Sequence, residues 1–155
     1  MMSIKFYDTS SLLLKSHDLF DNDEKFAISS ITLQELESIK NAFNKDPDVK
    51  YAARQLINEL ESHYGSYDIV IYKEDFNKYI KNYIINNDTK ILACCCDYQK
   101  NHPKKQISFI TNDLCLKHIA HIILGPKVES IKDESDSYAG YKEVYMTNDE
   151  MTDFY

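Results

Sequence analysis

Four acidic residues stand where the local character of the chain changes: Asp8 behind the apolar run 4–7, Glu35 in ITLQELESIK, Asp88 in NNDTKIL, and Asp113 behind the apolar run 107–110. Carboxylates drawn into one crevice repel one another, and their pKa values rise unless cations enter, so convergence of the four implies a divalent metal. Hard oxygen ligands select Mg²⁺ or Mn²⁺. Two such ions about 3.5–4 Å apart can activate a water, orient a scissile phosphate and stabilise the leaving 3′ oxygen. That is a route to phosphodiester hydrolysis needing no nucleophilic side chain.

Each acid also has a purely structural reading. Asp8 and Asp113 can cap the helices that follow them, because a carboxylate accepting backbone N–H bonds stabilises a helix start. Thr32-Leu33-Gln34-Glu35 reads as a capping box in the first turn of a helix, with the glutamate reaching back to the Thr32 backbone. Asp88, or Asn87 beside it, can be an N-cap with no other role. The functional reading rests on all four occurring together.

The elements that must position these acids are short and alternate in kind. Residues 4–7 read as a strand running into Asp8-Thr9-Ser10, which favours a turn or helix start, and 12–20 as a short helix. After a loop at 21–24, residues 26–29 read as a second strand, and Thr32 opens a helix with Leu33, Leu36 and Ile39 at helical spacing. Asp46-Pro47 begins a helix running to about His63, before Gly65, and Ile69, Val70 and Ile71 make a third strand. The tyrosine-rich stretch 74–85 is helical or mixed. Asn87-Asp88 starts a helix with Ile91, Leu92 and Cys95 on one face, and Pro103 closes the loop behind it. Residues 107–110 form an apolar strand, 114–123 a helix stopped by Gly125-Pro126, and a short strand is expected near Val128. This alternation predicts an α/β fold whose mostly parallel sheet is flanked by helices, with ligands bound beyond the C-terminal strand ends.

Length and composition bound the rest. A chain of 155 residues, 43% apolar, suits one globular domain with one core. No stretch approaches ~18 uninterrupted apolar residues and MMSIKFYD lacks an apolar signal core, so a soluble, cytoplasmic protein without a membrane span is expected. Cys94, Cys95, Cys96 and Cys115 form neither a disulfide framework nor a CxxC pair, and read as buried, reduced thiols. With only Gly65, Gly125 and Gly140, no GxxxxGK[ST] phosphate loop exists. The net charge of −7 lies mostly in residues 129–155, where eight acids face Lys132 and Lys142, leaving 1–128 nearly neutral. A neutral body can approach RNA if metal ions neutralise the pocket and basic residues elsewhere contact phosphates. The expected division is a domain at 1–128 and an acidic tail or linker at 129–155, whose charge could compete with RNA for basic patches.

The four motifs resemble those of PIN domains over roughly residues 3–130. IKFYDTSSLL is similar to the family's opening strand with a metal-binding aspartate at Asp8 and a supporting hydroxyl at Thr9 or Ser10. Glu35 in ITLQELESIK matches the glutamate of the family's second helix, NDTKILACC looks like its third acidic motif with Asp88, and ISFITNDLCLKHIA like its fourth with Asp113, flanked by Thr111 and Asn112 as supporting residues. Many members have a further acid two residues after that last aspartate; this chain has Cys115, which puts a second metal position in doubt. TNDLCLK, Arg54 and the stretch SYAGYKEVYMTNDEM resemble most the PIN module at the N-terminus of PhoH-like ATPases. The resemblance implies a PIN-like three-layer fold and an Mg²⁺- or Mn²⁺-dependent ribonuclease acting on single-stranded RNA, with Asp8, Glu35, Asp88 and Asp113 as catalytic metal ligands. It further implies an ATPase or helicase domain in a longer parent chain. Alternatives are a catalytically weak domain that binds RNA or regulates an ATPase, and a toxin-type ribonuclease that dimerises and is inhibited by an antitoxin.

Other candidates have blander readings beside them. Arg54 and Lys117, with Lys15, Lys40, Lys104 and Lys105, could contact phosphates, although solvated lysines are common. His118 and His121 share a helix face and could bind metal, although three-residue spacing alone is common and suits packing or solvent exposure. Cys115 and His118 lack a third group to orient a nucleophile. Tyr72, Tyr79, Tyr83 and Tyr98 sit at spacings that suit a core or helix interface as well as base stacking.

Overall fold

A computed structural model describes residues 3–21, 24–43, 45–125 and 127–131. The alternation read from the sequence is present as β1 (Ser3–Tyr7), α1 (Thr9–Lys15), β2 (Phe26–Ser29), α2 (Ser30–Asn41), α3 (Pro47–Ser62), β3 (Asp68–Val70), α4 (Asn87–Asn101), β4 (Gln106–Ile110), α5 (Leu114–Leu124) and β5 (Val128–Glu129). Short 3-10 segments follow α1 at Ser16–Asp18 and β3 at Glu74–Ile80, so the tyrosine-rich stretch is a tight helical turn rather than an α-helix. Ile71, expected in the third strand, lies beyond it and is exposed.

All strand pairs are parallel, in the order β3-β2-β1-β4-β5. From β1 the chain winds outward through β2 and β3, then returns along α4 to set β4 against the other side of β1. The sheet therefore reverses its winding between β1 and β4, and at such a point the connecting loops part and leave a crevice beyond the strand ends.

Strand period two divides the core between the two faces. Ile4, Phe6, Ala27, Ile107 and Phe109 pack with Ile91, Leu92, Cys95 and Tyr98 of α4 and with Leu116 and Ala120 of α5. Tyr7, Phe26, Ile28 and Ile110 pack with Leu12 of α1, Leu36 of α2, and Leu56 and Leu60 of α3. A sheet buried on both faces between two helical layers is the three-layer α/β arrangement that the alternation predicted. Tyr98 packs at 4% exposure and donates to Asp68 of β3, and Tyr79 donates to Asp97 of α4, so both serve packing around α4.

Two helix starts and one cap differ from the sequence reading, while α4 begins at Asn87 as expected. α1 begins at Thr9, with Asp8 as its N-cap, rather than at residue 12. α2 begins at Ser30, because the Ser29 hydroxyl accepts from the Ile31 N–H and caps it, so Thr32 does not open the helix and the expected capping box is absent. α4 is capped by Asn86 in a reciprocal box with Thr89, so neither Asn87 nor Asp88 is the N-cap. The cysteines are free; Cys94, Cys95 and Cys96 are buried as expected, whereas Cys115 is exposed because the first turn of α5 presents it to solvent. No described helix is long and apolar enough to cross a membrane. Residues 132–155, most of the expected acidic tail, and Pro126 lie outside the described residues.

Candidate active site

Asp8 and Asp113 follow β1 and β4, the two strands flanking the reversal point, and each caps the helix beyond it. Capping uses one oxygen apiece: Asp8 Oδ1 accepts from the Ser11 N–H at 2.9 Å, and Asp113 Oδ1 from the Leu116 N–H at 3.1 Å. The structural reading of these two acids is thus correct and incomplete. Thr111 joins them, since its hydroxyl accepts from the Asp113 N–H at 3.1 Å and donates to Asp8 Oδ2 at 2.6 Å. With its acceptor role fixed by a backbone N–H, the Thr111 proton is aimed at Asp8.

The displaced helix starts matter for the other two acids. With α2 capped by Ser29, Glu35 is not spent on its own helix; Oε1 accepts from the Thr9 hydroxyl and Oε2 from Asn87 Nδ2 at 3.2 Å. Thr9 Oγ1 also lies 3.1 Å from Thr32 Oγ1, so two buried hydroxyls support this carboxylate. With α4 capped by Asn86, the Asp88 carboxylate is left to the solvent-facing crevice. Three acids from other elements then act on it.

Electrostatics registers this gathering. The pKa of Asp88 is pushed up to about 6, first by loss of solvation and then by the negative charges of Asp113, Glu35 and Asp8. Although Asp88 as a residue is exposed, its carboxyl sits in the crevice, and the three repulsions name its neighbours. Burial raises the Asp8 pKa; hydrogen bonds from Thr111 and Ser11 oppose the rise, and the Asp113 charge adds to it. Among the described residues no lysine or arginine forms an ion pair with any of the four acids.

Such a donor set, four hard oxygen groups without a basic partner, fits a divalent cation of the Mg²⁺ or Mn²⁺ kind. Among the described residues no three His, Cys, Asp or Glu side chains are drawn tightly enough together to enclose a metal. An open site is still compatible with Mg²⁺, which keeps several waters and is often held by one or two carboxylates plus substrate phosphates. Among the described residues the buried Ser11 hydroxyl, whose side chain also eases the charge on Asp8, has no partner of normal hydrogen-bond geometry.

The supporting residues divide. Thr9 and Thr111 contact the acids, whereas Ser10 is exposed and Ser11, three residues after Asp8, provides the capping N–H. Asn112 turns away from the acids: its Oδ1 accepts from the Ile131 N–H at 2.8 Å, tying the end of the β5 segment to the β4 loop. Lys117 is likewise engaged at the periphery, donating to Ser130 Oγ at 2.7 Å. Arg54 is exposed on α3. Lys15 and Lys40 pair with Asp18 and Glu37. Sequence reasoning missed Thr32 and Asn87 as supports of Glu35; the available signals were the hydroxyl one turn before Glu35 and the amide next to Asp88.

Comparison with known proteins bears on the family and the fold. A family model described as PIN domain matches residues 6–131. No curated protein matches the chain in sequence. Among solved structures, VapBC2 from Rickettsia felis, bound to a DNA fragment from its promoter, is similar with a TM-score of 0.51 and 17% identity, over 82% of this chain and 98% of that one. A domain of a functionally unknown protein from Methanocaldococcus jannaschii is similar with a TM-score of 0.53 and 15% identity, over 96% of this chain and 99% of that one. At such identities the two structures speak for the fold, and the family match, spanning all four acidic motifs, shows that the chain belongs to the PIN domain family.

Proposed function

We propose that this domain is a metal-dependent endoribonuclease cutting single-stranded RNA, with Asp8, Glu35, Asp88 and Asp113 holding Mg²⁺ or Mn²⁺. PIN domains are generally nucleases, and they typically use divalent ions. The observation that carries the reading here is the repulsion of Asp88 by Asp113, Glu35 and Asp8, with no ion pair to any of the four among the described residues. When bound, the metal would activate water and neutralise charge developing on the phosphate and the leaving 3′ oxygen.

The chain's own residues define the remaining work. Asp8 and Asp113, on rigid strand ends, fix the two sides of the crevice. Thr111 holds Asp8 Oδ2 in one orientation, and the Thr9 and Asn87 donors do the same for the two oxygens of Glu35. Asp88, free of a capping role, completes the ligand set from α4. Deprotonated carboxylates are required, so the cluster works only where a cation offsets its repulsion.

Cys115, exposed where many relatives have a further acid, favours a second reading: a weaker or one-metal site in a domain that binds RNA or regulates an ATPase. A toxin-type ribonuclease inhibited by an antitoxin is a third reading, with which the fold shared with VapBC2 is compatible. In the PhoH-like reading, the domain at 1–128 and the tail at 129–155 would belong to a cytoplasmic parent chain carrying an ATPase.

The test is cleavage of labelled single-stranded RNA by the purified chain with Mn²⁺, Mg²⁺ or EDTA, beside Asp8→Asn and Asp113→Asn. Asparagine is as good an N-cap as aspartate, so both variants keep their helix starts. Metal-dependent cutting that falls about 10²-fold or more in both is expected from losing an interaction of several kcal/mol with the metal. Cutting unchanged in the variants belongs to a contaminant and contradicts the proposal.

A further inference from the structure

At the opposite end of the sheet from the acids lies a groove of about 450 Å³ lined by Lys100 at the end of α4, Lys105 before β4 and Lys127 before β5, over an apolar floor that includes Tyr79, Ile123 and Leu124. No acid lines it. Asp97, one turn before Asn101 in α4 and bonded to Tyr79, has both oxygens engaged, by Tyr79 Oη at 3.0 Å and Asn101 Nδ2 at 3.1 Å. Among the described residues none of the three lysines forms an ion pair. The segment 98–128 carries Lys100, Lys104, Lys105, Lys117 and Lys127 against the single acid Asp113, which belongs to the other end. Among the described residues, three lysines without an ion pair thus border the N-terminal ends of β4 and β5, with Asp97 and Asp75 the acids acting on the Tyr79 floor.

We infer that this groove is a second contact site for the phosphate backbone of single-stranded RNA, separate from the acidic crevice; the inference rests on RNA being the substrate. Lysines flanking an apolar, partly aromatic floor supply what a single strand needs, cations for phosphates and a surface for bases. Because the crevice repels polyanions until metal enters, an anchor at the far end lets the domain hold RNA before the cutting site is loaded. The two ends are separated by the length of β4, five residues or roughly 17 Å, so only an RNA of several nucleotides can reach both. Short substrates would meet the crevice alone. A lysine near a helix C-terminus also stabilises the helix itself, which is why the test reads binding rather than stability.

The experiment measures, in EDTA and across a salt series, binding of the full chain to labelled RNA of about 20 nucleotides, longer than the roughly 4–16 covered by a small single-strand-binding domain. Wild type is compared with Lys100→Gln/Lys105→Gln/Lys127→Gln, with the corresponding triple arginine variant, and with the charge-matched control Lys45→Gln/Lys73→Gln/Lys81→Gln. The groove variant should lose about tenfold in affinity and about two units of salt slope, the slope expected for three phosphate contacts on a single strand. The arginine and control variants should match wild type, and metal-dependent cutting of an RNA of about four nucleotides should be unaffected by the groove variant. Equal loss in groove and control variants, or no loss in the groove variant, overturns the site. Wild type that binds through the groove lysines yet cuts nothing keeps this site and contradicts the nuclease reading, whereas cutting with an ineffective groove variant sinks this site alone.

Discussion

At Asp8 the two carboxylate oxygens are held by different neighbours, one by the Ser11 N–H and the other by the Thr111 hydroxyl, which in turn receives the Asp113 N–H. Thr111→Val, nearly isosteric, would strand both Asp8 Oδ2 and the Asp113 N–H inside the crevice. The expected cost is about 1–3 kcal/mol in urea unfolding, with weaker metal binding. Asp88 makes a pH prediction whose sign follows from its raised pKa of about 6. The folded state holds that proton more tightly than the unfolded chain, so the metal-free protein should lose stability as pH rises from about 4 to 7, where the unfolded group ionises first. Asp88→Asn should flatten this loss and stabilise the protein in EDTA at neutral pH by on the order of 1 kcal/mol, the exposed position limiting the gain through solvent screening. Unfolding in EDTA at a series of pH values checks it. A stability that climbs with pH through this window, with no change in the variant, would mean that Asp88 is not repelled as described.

Among the elements, the starts of the helices decide what the acids are free to do. Thr32-Leu33-Gln34-Glu35 is a sound capping signature, yet β2 ends at Ser29 and the helix begins at once, because that hydroxyl is already in place to cap. Local spacing could not reveal this; the strand's pairing with β1 and β3 fixes where β2 stops. The same holds for Asn86-Asn87-Asp88, three possible caps in a row, of which Asn86 is chosen through its reciprocal bonds with Thr89. Asn86→Ala should therefore cost about 1 kcal/mol by urea unfolding. It should also reduce Mn²⁺ affinity without touching a ligand, because both Asp88 and the Asn87 donor to Glu35 ride on that first turn. An Mn²⁺ titration that leaves the variant equal to wild type would show that the cap does not position the site.

For the whole molecule, strand–helix alternation and turn signals were enough to foresee a parallel sheet flanked by helices, since each run such as 107–110 followed by Thr-Asn-Asp carries its own instruction. The strand order was not legible: nothing local in residues 71–106 says that the chain returns to place β4 beside β1. That return is what sets Asp113 beside Asp8 at the reversal point, where the proposed site lies. The four acids were proposed from their motifs, while the contacts of Thr32, Asn87 and Ser11 around them span 3 to 52 residues of sequence. The claim that unites these scales is that four acids from four segments hold one divalent cation centre. Titration of Mn²⁺ into the metal-free chain, followed by electron paramagnetic resonance, tests it free of contaminating nucleases. Saturable binding weakened about tenfold or more in each of Asp8→Asn, Glu35→Gln, Asp88→Asn and Asp113→Asn is the predicted result, since even residues that only support metal ligands typically contribute 10–100-fold. Absence of binding in the wild type, or affinity untouched by all four substitutions, would contradict it.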